Sequence, residues 1–374
     1  MTTARFRLRA ALGALAIAFV GCAPQRGAAY EHALAEGMRA ESSGRYEVAA
    51  ASFDEAARTA NVPGDGAHAK YLAACMLARG GARAEALVRL DRIAAAAPAE
   101  ADSASAAVRA ADMRIKAGDA DGWTRLEAMV VRFPTSGVTR PALHRLLRHD
   151  DDAAGPTATI AHLRELDKKL AATELGETIA YEIAMRRAGA GDDRGARDAF
   201  VDVAARWPYP KGSLFDDALF RASELDEKLG RYEEAAKDLE QMLDEREVAR
   251  LSGSYQRPRY SPALFRLATL YRDRLHDKER ARSAFHRLYA DFTTSTLRDD
   301  ALWQEAELWR EDGDTGTACE RLAALTEDIP NSRYVPCAMQ LCPRVKRADK
   351  SRAPLTCHPY IQRPSREASA AAKP

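Results

Sequence analysis

The chain has 374 residues, a formal net charge of +1 and only 7% aromatic residues. A nearly neutral chain gives no basis for a general nucleic-acid or anionic-membrane surface, because such surfaces need an excess of Lys and Arg. Alanine, leucine, arginine and glutamate dominate, and no long run alternates with period two, so the sequence predicts an all-α protein.

The first 22 residues have the features of an export signal. Three arginines precede an apolar stretch at 10–20 that is too short to span a bilayer as a stable helix. The sequence F-V-G-C that follows resembles a bacterial lipobox, which implies that Cys22 becomes the lipidated first residue. With Ala23 rather than Asp after it, the outer membrane, periplasmic side, is favoured. A conventional cleaved signal and an uncleaved N-terminal anchor are the alternatives.

Paired amphipathic helices are predicted over 28–134. Small residues, turn glycines and bulky aromatic residues recur there at the spacing of helix hairpins. An example is the set Gly37, Gly44, Tyr46 and Phe53. A hairpin of two such helices cannot bury both apolar stripes alone. We therefore expect neighbouring hairpins to stack on one another.

Residues 135–174 break this regularity and predict an irregular helix pair. We expect the first helix to stop at the polar run 149–152, His-Asp-Asp-Asp, and the second to start after Pro156. Three aspartates beside a histidine also form a candidate cation site. Adjacent residues on a loop point in different directions, however, so a solvated turn is favoured.

Regular spacing returns over 175–342 and is clearest at 213–244. Counted from Asp216 as position 1, the residues at positions 4, 7, 8, 15, 17, 20, 24 and 27 are Leu219, Ala222, Ser223, Gly230, Tyr232, Ala235, Leu239 and Met242. This pattern resembles the tetratricopeptide repeat (TPR), with Ser223 a mild departure. The resemblance implies an α-solenoid of about eight helix hairpins, and a last helix near 335–341 is expected to cap it.

The junctions between repeats indicate which group of TPR proteins the sequence resembles. F-P-T-S at 133, F-T-T-S at 292 and I-P-N-S at 329 each place a helix stop before a serine, which is a candidate N-cap or turn residue near the start of the next helix. This layout is similar to that of periplasmic TPR lipoproteins, including the TPR lipoprotein of the β-barrel assembly machinery and the Tol-Pal coordinator protein. The resemblance implies a lipid-anchored scaffold for envelope proteins.

Cysteines crowd the C-terminal end of the chain, at Cys319, Cys337, Cys342 and Cys357. In an oxidising compartment they predict one or two disulfides, with three possible connectivities. Their spacing argues against zinc. Beyond Pro343 the composition turns to Pro, Ser, Arg and Ala, which predicts a disordered tail over 343–374.

The resemblance also implies a binding surface. In TPR stacks the first helix of each hairpin lines the concave surface, and position 5 faces it. Position 5 is occupied by Tyr71, Tyr181, Phe220, Arg266 and Trp303. Aromatic residues and arginine carry much of the binding energy at interfaces, so they predict a strip for an inserted peptide or helix. The equally weighted alternative is that these aromatics pack against neighbouring helices.

Catalytic motifs are absent from the sequence, with no H-E-x-x-H, no G-x-S-x-G and no phosphate-binding glycine loop. We therefore expect a non-enzymatic protein without cofactor, metal, small-molecule substrate or nucleic-acid partner. The favoured function is a scaffold for envelope proteins in outer-membrane assembly or a related complex. The alternative is an accessory protein that binds peptidoglycan or polysaccharide-export machinery.

Overall fold

A computed structural model describes residues 26–96, 102–244 and 259–361. Every regular element within these ranges is an α-helix, and consecutive helices pack against each other in a repeated arrangement. The prediction of an all-α solenoid is confirmed. The export signal with Cys22 lies outside the described residues, as do residues 362–374.

The chain divides into two compact units. The first unit holds residues up to Gly155 together with 172–175, and the second holds 156–171 together with the rest of the chain. The division therefore falls inside the segment that the sequence marks as irregular.

The first unit is built from consecutive helix hairpins. Its helices are α1 (Ala28–Ser42), α2 (Tyr46–Thr59), α3 (Pro63–Arg79), α4 (Arg83–Ala95), α5 (Ser103–Lys116) and α6 (Asp121–Arg132). Each of these helices packs on the next one, and Phe53, Leu90 and Leu126 are completely buried. The side chains that the spacing marks as bulky therefore fill the space between helices.

Helix α7 (Thr139–Leu170) differs from the expectation at the polar run 149–152. That run is helical, so the predicted stop there was wrong. The ring of His149 stacks on Trp123, with ring centroids 3.8 Å apart, so this part of α7 packs against α6. The interruption comes instead at Gly155, which has φ 79° and is followed by Pro156. A positive φ suits glycine, and proline is well tolerated at the start of a helix.

The rest of the chain continues the hairpin pattern. Its helices are α8 (Leu175–Gly189), α9 (Asp193–Arg206), α10 (Phe215–Lys228), α11 (Tyr232–Asp244), α12 (Tyr260–Asp273), α13 (Lys278–Asp291), α14 (Arg298–Glu311), α15 (Thr315–Asp328) and α16 (Val335–Leu341). An apolar core in the second unit runs through α10 to α13. A separate cluster joins α14, α15 and α16.

The turns inside the hairpins share one backbone conformation. Their glycines have φ between 71° and 93°, at Gly44, Gly81, Gly118, Gly191, Gly230 and Gly313. This left-handed region is costly for residues with a Cβ, which explains the glycine at the turn position of the pattern. The α12–α13 turn uses His276 instead, at φ 54°.

The C-terminal cap is held by two disulfides, Cys319–Cys342 and Cys337–Cys357. Beyond α16 the chain folds back so that Val345 and Ala353 are buried in the last apolar cluster. Residues 343–361 are therefore packed rather than disordered, which corrects the expected start of the tail. Their composition is poor in large apolar residues, but a cross-link lowers the entropy that the unfolded chain would otherwise gain.

None of the helices in the described ranges combines the length and apolar character needed to cross a bilayer.

Candidate partner-binding surface

The five position-5 residues all lie on first helices of hairpins. Tyr71 is on α3 in the first unit. The other four are in the second unit, on α8, α10, α12 and α14: Tyr181, Phe220, Arg266 and Trp303. Their environments differ, because some are covered by side chains from the next repeat and others are not.

Trp303 is packed inside the last repeat. Its side chain is only 6% exposed, and its ring stacks on Tyr334 with centroids 4.8 Å apart. The Tyr334 hydroxyl donates a hydrogen bond to Asp300 Oδ1 at 2.6 Å, and burial raises the pKa of that hydroxyl. Trp303 is therefore buried against Tyr334 and offers little surface to a partner.

Phe220 is also covered. It is 8% exposed, and the guanidinium groups of Arg259 and Arg266 lie 5.1 and 5.6 Å from its ring centroid. These distances allow cation–π attraction. The exposed aromatic strip expected from the sequence is therefore not present at Phe220 and Trp303. For these two residues the structure supports the packing alternative.

Arg266 is half-buried and paired with two carboxylates of the preceding repeat. Its Nη1 donates to Glu224 Oε1 at 3.0 Å, and its Nε donates to Glu227. Both glutamates lie on α10, so these contacts join the first helices of two successive hairpins.

Tyr181 takes part in a second group of polar contacts, centred on Asp217. The Asp217 carboxylate accepts hydrogen bonds from the Tyr181 hydroxyl and from Arg221 Nε, the latter at 2.9 Å, and it is ion-paired with Arg259. Arg221 Nε also lies 2.6 Å from the Tyr181 oxygen, to which it donates. Burial, together with the neighbouring Asp217 charge, raises the pKa of Tyr181.

These two groups form one surface, which we call the first-helix ridge. It consists of Tyr181, Asp217, Arg221, Glu224, Glu227, Arg259 and Arg266. The charged side chains of the ridge are between 18% and 42% exposed, so they remain accessible to a partner. Three arginines lie beside three carboxylates. The ridge can therefore both donate and accept hydrogen bonds, and its net charge is small.

Among the ridge residues, the sequence pattern identified Tyr181 and Arg266 as position-5 residues but missed Asp217, Arg221, Glu227 and Arg259. The signal for the first two was present, because an acid and an arginine four residues apart on a helix face each other. Arg259 lies at the end of the longer α11–α12 connection, and no local spacing connects it with Asp217.

Tyr71 has a different environment in the first unit. It is half-buried and packs against the cluster that contains Ala74, Leu90 and Ala106. Burial raises the pKa of its hydroxyl. Its neighbour Cys75 is the free cysteine among the described residues. Tyr71 is therefore a partly buried packing residue.

A buried charged cluster ties α9, α10 and α11 together. Asp226 is completely buried and accepts a hydrogen bond from Arg197 Nε at 2.8 Å. Asp238 is 7% exposed, and Arg197 also approaches it at 3.9 Å. Burial raises the pKa of Asp238 to about 7, and the nearby Asp226 charge adds to the increase. The cluster is enclosed between helices, so we assign it a structural role.

Across the described ranges, no group of three His, Cys, Asp or Glu side chains is arranged to hold a metal ion.

Comparison with known families identifies the two hairpins that carry most of the ridge. The tetratricopeptide repeat family matches residues 217–246 and 262–295, which correspond to the α10–α11 and α12–α13 hairpins. No curated protein matches the sequence.

Two solved structures with a similar arrangement are distant in sequence. The C-terminal part of a TPR repeat-containing protein from Cytophaga hutchinsonii is 16% identical, with a TM-score of 0.40, and the match covers 73% of this chain and 99% of that one. MamA from Desulfovibrio magneticus RS-1 is 18% identical, with a TM-score of 0.32, and the match covers 49% and 91%. These likenesses carry no functional argument. The family match and the helix arrangement show that this chain contains tetratricopeptide repeats, at residues 217–246 and 262–295.

Proposed function

We propose that this protein is a lipid-anchored periplasmic TPR scaffold. It binds envelope protein partners through the first-helix ridge and serves outer-membrane assembly or a related envelope complex. The observation that carries the proposal is that most of the ridge lies on the first helices of the two TPR-matched hairpins, where its polar groups remain accessible.

The chemistry of the ridge favours a peptide or helix as the partner. Arg221, Arg259 and Arg266 can donate several hydrogen bonds each, and the three carboxylates can accept them. A bound segment with charges of both signs would replace some of the existing ion pairs with its own. Because these ion pairs are partly open to water, each contributes only modest stability, so the exchange costs little. Complementary charges then select the partner.

The cysteines support the proposed compartment. Disulfides persist in oxidising environments such as the periplasm and are rare in the cytosol. Cys319–Cys342 and Cys337–Cys357 both hold the C-terminal cap. Together with the signal-like residues 1–22, they support export followed by acylation of Cys22.

Site-specific photo-crosslinking in cells tests the ridge. A photoreactive residue at Glu224 should give adducts with envelope proteins, whereas one at exposed Lys237, on the second helix of the same hairpin, should not. Equal adducts from both positions would contradict the proposal.

A triple variant, Arg221→Ala, Arg259→Ala and Arg266→Ala, should lose the Glu224 adducts. The matched control removes three exposed arginines elsewhere, Arg45→Ala, Arg148→Ala and Arg194→Ala, and should keep them. Circular dichroism checks that both variants remain helical.

Metabolic labelling with a clickable fatty acid tests the anchor. The wild-type chain should incorporate the label, Cys22→Ser should not, and Cys75→Ser should behave like the wild type. Equal labelling of Cys22→Ser would rule out acylation at that residue.

A further inference from the structure

The net charge of the chain is near zero, but positive and negative charges are strongly separated along the sequence. Residues 343–374 carry eight Lys or Arg against two Asp or Glu, a net charge of +6. Residues 1–21 carry three Arg and no acid, and the whole chain carries +1, so residues 22–342 have a net charge of −8. The C-terminal segment therefore concentrates positive charge next to an acidic region, residues 22–342.

The described part of this segment, residues 343–361, is a fixed structure that we call the cap loop. One disulfide joins Cys342 at its start to Cys319, and the other joins Cys357 near its end to Cys337. Val345 and Ala353 point into the last apolar cluster and are 8% and 6% exposed. The loop thus has one side that is attached to the core and another that is free to face solvent.

Basic side chains occupy the free side. Arg344 and Lys346 flank the buried Val345, and Lys350 and Arg352 follow them; all four residues are exposed. Within the described ranges, none of these four side chains has an ion-pair partner. Arg347 differs, because it is half-buried and its Nη1 donates to the carbonyl oxygen of Ala353 at 2.8 Å. Arg347 therefore stabilises the fold of the loop, and the four exposed basic residues remain available to bind a ligand.

Two large apolar side chains project from the same loop. Leu355 is 88% exposed and Tyr360 is 52% exposed. A protein gains nothing in stability from an apolar side chain that stays in water. Exposed Lys and Arg beside a leucine and a tyrosine form a combination that suits the interface of an anionic bilayer, where the charges meet headgroups and the apolar groups enter the acyl boundary.

We propose that the cap loop is a membrane-surface site that binds anionic phospholipid headgroups through Arg344, Lys346, Lys350 and Arg352, with Leu355 and Tyr360 inserted at the interface. The site is separate from the first-helix ridge and does not depend on acylation of Cys22. A soluble polyanion would use the four charges but would leave Leu355 and Tyr360 without a role. This difference favours the bilayer.

Vesicle co-sedimentation tests the proposal. The chain from Ala23 to Pro374 retains every described residue and lacks Cys22, so a lipid anchor cannot contribute. It should sediment with vesicles that contain phosphatidylglycerol and remain in solution with vesicles of phosphatidylcholine alone. About 0.5 M salt should release it, because such salt screens charges beyond a few ångströms.

Charge variants locate the site. Replacing Arg344, Lys346, Lys350 and Arg352 with Gln should weaken binding at least about tenfold, since each basic residue near an anionic surface contributes appreciably. The matched control removes the same charge from four exposed basic residues elsewhere: Arg45, Lys70, Arg148 and Lys237. The control should bind like the parent chain. Equal weakening by both sets would overturn the proposal, because it would show a response to net charge alone.

The apolar variants separate a bilayer from other anionic partners. Leu355→Ser with Tyr360→Ser should weaken vesicle binding and leave any retention by dextran sulfate unchanged. If the double variant binds vesicles as well as the parent chain does, the loop is a polyanion site and the membrane assignment fails. In every variant the thiol count should show one free cysteine, Cys75, which confirms that the loop is still cross-linked.

Discussion

Trp303 and Tyr334 stack nearly face to face, with an interplanar angle of 13° and ring centroids 4.8 Å apart. The pair joins α14 to the start of the C-terminal cap. Trp303 therefore stabilises the end of the stack and does not present its ring to a partner.

Trp303→Ala should lower the free energy of unfolding by about 3–5 kcal/mol, the cost of removing a large buried aromatic side chain. Denaturant titration followed by circular dichroism measures this loss. Leu355→Ala, which removes an exposed side chain from the same cap, should change stability by less than about 0.5 kcal/mol. Similar small effects for both variants would show that the stack contributes little.

Loss of the Cys337–Cys357 disulfide should loosen the cap loop. Cys337→Ser with Cys357→Ser should cost about 2–4 kcal/mol, because the cross-link closes a segment of the chain across a sequence separation of 20 residues. Trypsin should then cleave after Arg344, Lys346 and Lys350 much faster than in the wild type. Cys75→Ser serves as the control and should not alter cleavage there. Unchanged protection in the double variant would mean that burial of Val345 and Ala353 alone holds the loop.

Asp238 should make stability depend on pH. Its pKa is about 7 in the folded chain, whereas an aspartate in an unfolded chain has a pKa of about 4. The folded chain therefore holds this proton more tightly. The resulting stability is fully present below about pH 4 and is lost as pH rises through about 7.

Asp238→Asn removes this ionisation and should be more stable than the wild type at pH 8, with a smaller difference at pH 5. The groups around Asp238 are Arg197, Asp226 and Glu234, and the substitution leaves their charges in place. Thermal unfolding at a series of pH values measures the difference between the two proteins. The exposed Glu233→Gln on the same helix is the control and should follow the wild type. A constant offset between wild type and Asp238→Asn would contradict the shifted pKa.

Two turn substitutions should have opposite effects. Gly230→Ala places a Cβ at φ 75° and should destabilise the α10–α11 hairpin by about 1 kcal/mol. His276→Gly relieves the same conformation in the α12–α13 turn. The stability gained by His276→Gly should be smaller than the stability lost in Gly230→Ala, because glycine also gives the unfolded chain more conformational freedom. Denaturation midpoints of the two variants, measured against the wild type, should move in opposite directions. A shift in the same direction would show that φ does not decide the residue preference at these turns.

Much of the fold could be predicted from residue spacing. Helical periodicity and the turn glycines depend on neighbours within one hairpin, so a pattern such as that of residues 213–244 is enough to predict two helices and their TPR-like packing. The stop at 149–152 was predicted wrongly because the polar run suggests a turn. In the structure the run is helical, and His149 stacks on Trp123 in another helix, a contact that local spacing does not reveal.

The candidate site was only partly predictable, for a similar reason. Whether a position-5 side chain is accessible depends on residues far away in the sequence. Phe220 is covered by Arg259 and Arg266, and Trp303 is covered by Tyr334. Spacing within a single repeat contains no information about these contacts.

Periodicity along the chain thus specifies the helices, their turns and the all-α repeat architecture, because those features arise from interactions a few residues apart. Side-chain exposure on the first-helix ridge, the pairing of four cysteines and the packing of the cap loop follow only from the folded chain. They depend on which groups from separate repeats meet, and the buried apolar surface, ion pairs and cross-links that decide this exist only once the repeats have stacked.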